Sequence, residues 1–248
     1  MCGITGFIEK TEKKIAESNL NLMVQEIKHR GPDSNGIWYD ENNGIGLAHA
    51  RLSILDLTSA GHQPMASYSE RYIISFNGEI YNHLLLRENL KKSGINIIWR
   101  GHSDTETLLA CIDTWGLEKT IKKCSGMFAI VIFDKKENSI YLIRDRMGEK
   151  PLYYGVQNGV FLFGSELKAL KRHPAFQGEI DRNSLALQLK YNYIPTPYSI
   201  YKGIKKLTPG TILKVGVNSK YANIEAIGIP VDFWSLKEVA INGQSNIY

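Results

Sequence analysis

The chain opens with Met1-Cys2, and this cysteine is the residue best placed for nucleophilic chemistry. If Met1 is removed, Cys2 carries a thiol and a free α-amine on one residue. A cysteine thiol, with a reference pKa of about 8.5, is only a few per cent thiolate at pH 7 and needs a base nearby. The α-amine, with a reference pKa of about 7.7–8.0, can be that base, directly or through one water. The competing interpretation of Cys2 is an ordinary residue at the start of a buried strand.

Five further positions carry groups that amide cleavage would use. Asn77-Gly78 offers a side-chain amide and a backbone N–H left open by the missing Cβ, both suitable donors for a developing oxyanion. Arg51 ends a predicted hairpin strand, and its guanidinium matches an amino-acid carboxylate. Asp104 and Glu79 are candidates for an α-ammonium group. Each signal is weak alone, because Asn-Gly is usually a turn and a lone arginine on a strand is usually a surface residue.

The pattern around these residues predicts strands that hold them and helices that cover the strands. Apolar runs predict strands over 2–9, 36–41, 45–52, 73–76, 95–99, 127–133, 139–143 and 160–163. Helices are predicted over 18–30, 82–93, 103–115, 165–172 and 184–191. Ser103 and Glu106 have the spacing of a capping box at the start of the third helix, which leaves Asp104 free to face outward. Strands and helices come in groups, so the order indicates sheets with helices outside, an α+β arrangement.

Composition narrows the class of protein. The 248 residues carry a net charge of +5, with lysines scattered rather than gathered into a basic run, which argues against a nucleic-acid surface. Cys2, Cys111 and Cys124 are too few and too widely spaced for a disulfide framework or a metal site. No apolar run approaches a membrane span, and the first residues lack the form of a secretory signal. We therefore expect a cytoplasmic protein without a membrane partner.

An ordered set of motifs along residues 1–215 resembles a known family. MCGITGF, HRGPDSNG, LAHARLSILDL, QPM, FNGEIYN, SDTETLL, GMFAIVIFD, RDRMGEKPLYY and GSELKAL together closely resemble the class II, N-terminal-nucleophile glutamine amidotransferase domain. More narrowly, they resemble the N-terminal glutaminase half of glutamine-hydrolysing asparagine synthetase. The later IPTPYSIYKGIKKLTPG resembles the segment that leads into the synthetase half of that family.

The resemblance implies a four-layer αββα fold, with two stacked, mainly antiparallel sheets flanked by helices. It implies removal of Met1 and a catalytic Cys2, with Asn77 and Gly78 forming the oxyanion hole. Substrate glutamine would be bound by Arg51 at its carboxylate and by Asp104, with Glu79, at its α-amine. The remaining substrate contacts would come from the stretch after Arg51, namely Leu52, Ser53, Ile54 and Leu55. The resemblance implies no metal at this site.

The sequence also predicts how the chain is divided. Residues 2–192 are interpreted as the glutaminase domain, and 193–248 as a connecting segment that leads to a synthetase domain absent from this chain. No Ser-Gly-Gly-x-Asp-Ser phosphate loop occurs, so ATP and Mg²⁺ are expected only in that synthetase domain, present in cis in a longer chain or in trans. The ammonia acceptor, aspartate or another carboxylate, stays open. So does the oligomeric state, with a homodimer as one option.

Two other functions compete with an active asparagine-synthetase-type glutaminase. The first is a non-catalytic or regulatory module that keeps the fold within a larger synthetase, which the intact set of candidate site residues argues against. The second keeps the enzyme class but changes the partner to a sugar isomerase or phosphoribosyl transferase half. GSELKAL and PYSIYKGIKKLTPG favour the asparagine-synthetase branch.

Overall fold

A computed structural model describes residues 1–217, 220–221 and 223–245. Its strands are β1 (Gly3–Ile8), β2 (Ser34–Asp40), β3 (Ile45–Arg51), β4 (Met65–Ala66), β5 (Tyr72–Ile80), β6 (Gly126–Asp134), β7 (Ser139–Arg144), β8 (Tyr153–Gln157), β9 (Val160–Gly164), β10 (Ile204–Lys206), β11 (Thr211–Gly216) and β12 (Val231–Asp232). Its α-helices are α1 (Lys13–Gln25), α2 (His83–Lys92), α3 (Asp104–Trp115), α4 (Leu117–Lys123), α5 (Leu167–Leu170), α6 (Arg182–Tyr191) and α7 (Leu236–Ser245).

The strands form two antiparallel sheets that pack face to face. The first sheet has the order β10-β8-β9-β1-β3-β2, and the second has the order β12-β11-β7-β6-β5-β4. Helices α1 and α5 pack on the outer face of the first sheet, while α2, α3 and α4 pack on the outer face of the second. The predicted αββα fold is therefore confirmed. In the described part of the chain, no helix has both the length and the apolar character that a membrane crossing requires.

The apolar residues of β6 explain why the sheets stack. Ala129, Val131 and Phe133 face the first sheet, and the alternating residues Phe128 and Ile130 face the helices. All five are fully buried, because side chains of a strand alternate between its two faces and both faces of β6 are covered. Burial of such large apolar side chains contributes about 1.5–3 kcal/mol each, which holds the two sheets in one relative position.

This stacking brings two particular strands together. β1 lies inside the first sheet, between β9 and β3, and begins directly after Cys2. β5 lies in the second sheet beside the short edge strand β4, and carries Asn77 and Gly78. β1 and β3 both contact β5 across the space between the sheets. The fold therefore places the start of β1 against the second half of β5, which carries Asn77 and Gly78.

Several predicted boundaries change in the structure. The strand predicted over 95–99 is wrong: this stretch pairs with no strand among the described residues, and Trp99 instead stacks under the Arg87 guanidinium, 3.8 Å from ring centroid to Cζ. Asn77-Gly78 is not a turn, since β5 continues through it to Ile80. The helix predicted over 18–30 begins earlier and ends as α1 at Gln25, followed by a short 3₁₀ turn.

The later part of the chain adds strands to the two sheets. β10 pairs with β8 at the edge of the first sheet, and β11 pairs with β7 in the second. The segment expected to be a connection, 193–248, thus supplies strands to both sheets in its described part, and neither sheet ends at residue 192. Residues 246–248, at the end of the predicted connecting segment, lie outside the described residues, as do 218, 219 and 222.

Candidate active site

Cys2 is held firmly at the start of β1. The carbonyl of Cys2 accepts a hydrogen bond from Arg30 Nε at 2.9 Å. Ile4 N–H donates to Ser165 Oγ at 3.0 Å, and Ile4 C=O accepts from Ser165 N at 2.8 Å. Arg30 is itself fixed by Glu166, whose Oε1 lies 2.8 Å from Arg30 Nη1. These contacts give the first residues a fixed backbone, which a nucleophile near a chain terminus needs.

The Cys2 thiol is half-buried and contacts the backbone that follows β3. Leu52 N–H donates to Cys2 Sγ at 3.4 Å, and Cys2 Sγ donates to Leu52 C=O at 3.5 Å. Burial raises the pKa of the Cys2 thiol above its ordinary value, with a smaller upward effect of Asp104. The Leu52 N–H, the terminal amine and Arg51 lower the same pKa, but less than burial raises it. The thiol therefore needs a base to become a thiolate at neutral pH.

A pocket of about 90 Å³ opens beside this thiol. Every residue predicted for the site lines it: Cys2, Arg51, Leu52, Ser53, Ile54, Leu55, Asn77, Gly78, Glu79 and Asp104. The structure thus brings together Cys2 just before β1, the end of β3 with the loop after it, the second half of β5 and the start of α3. The structure confirms that these residues lie together, and their chemical roles remain predictions.

The side chain of Asn77 presents a free donor in this pocket. Asn77 is 1% exposed, and its Nδ2 is buried without a hydrogen-bond partner among the described residues. A buried, unpaired amide N–H costs about 1–3 kcal/mol, so such a group is expected to have a function. A carbonyl oxygen of a bound substrate would satisfy it.

The N–H of Gly78 lies on the same open edge of β5. Residues of an antiparallel strand point their N–H groups alternately to the two neighbours. Phe76 N–H donates to Gln63 Oε1 at 2.7 Å, and Ile80 N–H donates to Asp104 Oδ2 at 2.8 Å, both away from β6. Gly78 lies midway between them, so its N–H points to the same side, into the pocket. Asn77 Nδ2 and Gly78 N–H therefore form a pair of donors near Cys2.

Glycine is required at position 78 by close approach of the neighbouring strand. A Cβ at Gly78 would lie 2.1 Å from Met127 O and 2.7 Å from Phe128 Cα, and both contacts are with backbone atoms of β6. β6 is central in its sheet and cannot shift without loss of packing. A larger residue would push this part of β5, and the donor that it carries, toward the pocket.

Arg51 contributes positive charge to the pocket. Its Nη1 donates to Thr58 C=O at 2.9 Å and its Nη2 to Asp56 C=O at 2.5 Å, and the residue is 9% exposed. Asp56 organises the loop that supplies these carbonyls, because its Oδ1 accepts from both the N–H and the hydroxyl of Thr58. Within the described residues no carboxylate lies within ion-pair distance of Arg51, so its charge is available to an anionic group.

Asp104 contributes the opposite charge at the start of α3. Its carboxylate accepts the Ile80 N–H, while burial raises its pKa from 3.8 to about 6, with a further increase from Glu79. A bound ammonium group would favour the ionised form of both carboxylates. Ser103 caps the helix as predicted, accepting from Glu106 N at 3.2 Å. The other half of the capping box is wrong, because the Glu106 carboxylate binds the N–H groups of Arg100 and Gly101.

Gln63 and Lys150 are among the residues that line this pocket and were not predicted for it. Gln63 accepts the Phe76 N–H and donates to Thr105 Oγ1 at 3.2 Å, so it joins β5 to the start of α3. Lys150 is 5% exposed, and its Nζ donates to Met1 Sδ at 3.0 Å. Both belong to motifs that carry the family resemblance, QPM and RDRMGEKPLYY, but their residue types alone give no chemical reason to place them at a site.

Comparison with known proteins agrees with this architecture. The family model described as a glutamine amidotransferase domain matches residues 1–223, and the chain belongs to this family. It is 39% identical over 225 residues to a putative glutamine-hydrolysing asparagine synthetase 2 of Methanocaldococcus jannaschii, covering 84% of this chain and 42% of the relative. It is 36% identical over 234 residues to asparagine synthetase 3 of Bacillus subtilis, covering 91% of this chain and 37% of the relative.

Two solved structures share the fold at low sequence identity. Glutamine phosphoribosylpyrophosphate amidotransferase of B. subtilis, complexed with ADP and GMP, superposes with a TM-score of 0.64 at 17% identity. A structure of the allosteric regulatory enzyme of purine biosynthesis gives a TM-score of 0.66 at 16% identity. Each match covers 94% of this chain and 49% of the other. The matched part of the chain thus covers less than half the length of these proteins and of the two asparagine synthetases.

Proposed function

We propose that this domain hydrolyses the side-chain amide of L-glutamine to glutamate and ammonia, with Cys2 as nucleophile. The observation that carries the proposal is the pair of donors, Asn77 Nδ2 and Gly78 N–H, on an open strand edge in the pocket that the Cys2 thiol lines. Arg51 and Asp104 line the same pocket with opposite charges, which suits the carboxylate and the ammonium group of an amino acid.

The proposed reaction uses these residues in the following steps. After removal of Met1, the α-amine of Cys2 accepts the thiol proton, and sulfur attacks the side-chain amide carbon of glutamine. Asn77 Nδ2 and Gly78 N–H donate to the tetrahedral oxyanion. The α-ammonium proton passes to the leaving nitrogen, the C–N bond breaks and ammonia departs. Water then attacks the γ-glutamyl thioester, releasing glutamate and the Cys2 thiol.

The use of the ammonia is a further part of the proposal. Since the relatives are named glutamine-hydrolysing asparagine synthetases, we propose that the ammonia goes to an ATP-dependent synthetase domain of that type, in cis or in trans. ATP and Mg²⁺ would belong to that domain, and the glutaminase pocket would need neither. A cytoplasmic location is part of the same proposal.

Ammonia release from glutamine by the processed protein tests this function, with Cys2→Ala as the matched control. We expect ammonia and glutamate in equal amounts from the processed protein and none from Cys2→Ala. Mass spectrometry of an acid-quenched reaction is expected to detect the γ-glutamyl adduct on Cys2. A processed, folded protein that releases no ammonia, even with a synthetase partner added, would favour the non-catalytic alternative.

A further inference from the structure

His49 contacts the open edge of β5 where the paired donors lie. β4 pairs only with the first half of β5, so the carbonyl of Phe76 has no neighbouring strand on that side within the described residues. His49 Nε2 lies 3.0 Å from Phe76 O and takes the place of the missing strand. The Phe76 carbonyl belongs to the peptide bond that leads into Asn77, one residue before Gly78. His49 therefore holds the backbone from which both donors project.

The position of His49 connects this edge to the nucleophile. His49 is fully buried in β3, directly opposite Ile4 of β1, two residues after Cys2. Its hydrogen bond to Phe76 thus crosses from the first sheet to the second. One side chain joins the strand beside Cys2 to the strand that carries the donors.

The contact with the Phe76 carbonyl determines which nitrogen of the His49 ring carries the hydrogen. A carbonyl oxygen only accepts, so the hydrogen must be on His49 Nε2. Burial lowers the pKa of His49 to about 4, with smaller contributions from Arg51 and His62, so the ring is neutral near pH 7. His49 Nδ1 then carries no hydrogen, and it is buried without a partner among the described residues. The ring has one donor, and that donor is used on Phe76.

We propose that His49 is a positioning residue of the oxyanion site, holding the Phe76–Asn77 peptide so that Asn77 Nδ2 and Gly78 N–H converge on one oxygen opposite Cys2. The inference rests on the proposed glutaminase function. It assigns His49 no contact with substrate, so its effect falls on the transition state through the two donors. A displacement of about 1 Å in such a group costs about 100-fold in rate.

Two substitutions of matched polarity test the proposal. The Nε2 of a glutamine reaches about as far along the side chain as the Nε2 of histidine, whereas the amide of asparagine ends one bond earlier. We expect His49→Asn to lower kcat for glutamine by about 10- to 100-fold, with KM within about threefold. His49→Gln restores the donor to Phe76 and is expected to keep kcat within about threefold of the parent.

A second measurement reports on the donors without turnover. In protein selectively labelled with ¹⁵N, the amide resonances of Asn77 and Gly78 are expected to move in His49→Asn and to stay close to the parent in His49→Gln. Circular dichroism and thermal unfolding establish that each variant is folded. If the parent protein itself releases no ammonia, the proposed function fails, while the resonances still decide whether His49 fixes this edge.

The proposal is overturned by a folded His49→Asn with unchanged kcat and unchanged Asn77 and Gly78 resonances. It is equally overturned if His49→Asn and His49→Gln lose kcat to the same extent, because loss of the ring rather than loss of the donor would then be the cause. If His49→Asn does not fold, a folded His49→Gln with low kcat and shifted resonances overturns the proposal as well, and a folded His49→Gln with parental kcat and resonances supports it.

Discussion

At Asn77, a substitution is expected to affect turnover much more than the stability of the fold. Its Nδ2 has no partner among the described residues, so removal of the side-chain amide breaks no hydrogen bond of the fold through that atom. We expect Asn77→Ala to lower kcat for glutamine by about 10²–10³-fold while thermal stability changes little. Steady-state ammonia release and thermal unfolding of the same preparation measure both quantities. Unchanged turnover would remove Asn77 from the oxyanion role.

Asn82 provides the matched control for that variant. Its Nδ2 donates to Lys123 C=O at 2.9 Å and its Oδ1 accepts from Ser125 N at 2.9 Å. Asn82→Ala therefore removes hydrogen bonds of the fold rather than donors of the pocket, and each is worth about 0.5–1.5 kcal/mol. The two variants should show opposite patterns, with stability lost in Asn82→Ala and turnover lost in Asn77→Ala.

If Asp104 binds the α-ammonium group of glutamine as proposed, substrate binding should depend on pH. Its pKa in the free protein is raised to about 6 by burial, so it is largely neutral below that pH and cannot pair with the α-ammonium group of glutamine. We expect kcat/KM for glutamine to fall as pH decreases through about 6, and Asp104→Asn to have a low kcat/KM without this dependence. A pH profile of the two proteins checks this, and an identical profile would exclude Asp104 as the titrating group.

The same shift predicts a stability difference with a definite sign. A carboxyl whose pKa is higher in the folded state than the reference 3.8 disfavours folding when it is ionised. Asp104→Asn should therefore be more stable than the parent at pH 7.5, with a free energy of unfolding higher by up to about 3 kcal/mol. The variant should accordingly unfold at a higher temperature. This advantage should shrink as pH falls from about 6 to about 4, where the parent Asp104 becomes neutral. Thermal unfolding across this pH range measures the difference.

At the scale of single elements, the packing of β5 against β6 sets the position of the donors. A Cβ at Gly78 would meet the backbone of β6 at 2.1 Å, whereas a Cβ at Gly216 meets nothing within 4 Å. We expect Gly78→Ala to destabilise the fold by about 1–3 kcal/mol and to reduce turnover, and Gly216→Ala to do neither. Denaturant unfolding and ammonia release measure the two effects. A neutral Gly78→Ala would mean that β5 accommodates the methyl group by moving away from β6.

Elements with local signals were predictable from sequence, and elements with distant partners were not. The predicted hairpin over 36–41 and 45–52 corresponds to β2 and β3, and it was predictable because its turn signal, Asn43-Gly44, lies in the same short stretch as both strands. β8 and β10 pair with each other about 50 residues apart in the chain, Gly155 opposite Ile204, and neither has a clear alternation of its own. The run 95–99 has the apolar composition of a strand, yet in the described part of the chain no neighbouring strand pairs with it.

The residues of the candidate site likewise fall into those that the sequence predicted and those that only the strand order reveals. The location of Asn77, Arg51 and Asp104 in one pocket was predictable because the motifs that contain them resemble a known family, whereas each residue type alone is a weak signal. Gln63 and His49 were not predictable, since their contribution is a hydrogen bond to the Phe76 backbone, whose edge position depends on β4 being short. Residues that act through the backbone of another strand become visible only when the strand order is known.

At the scale of the whole molecule, we expect the presence or absence of Met1 to determine whether the pocket can hydrolyse glutamine. Met1 lines the pocket beside Cys2, and its Sδ accepts from the buried Lys150 Nζ at 3.0 Å. While Met1 is present, the nitrogen of Cys2 is an amide and cannot take a proton from the thiol. We therefore expect a protein with a stable N-terminal tag to show no ammonia release, measured beside the same protein processed to begin at Cys2.

The control is the same tag followed by a cleavage site that leaves Cys2 as the first residue. Cleavage should restore turnover in a single sample, with intact mass reporting the fraction processed, so that activity rises in proportion to that fraction. Because the folded structure already holds Cys2 through Arg30, and Ile4 through Ser165, no refolding should be needed. Full activity with the tag in place would mean that the α-amine of Cys2 is not the base, and that another group beside the thiol takes its proton.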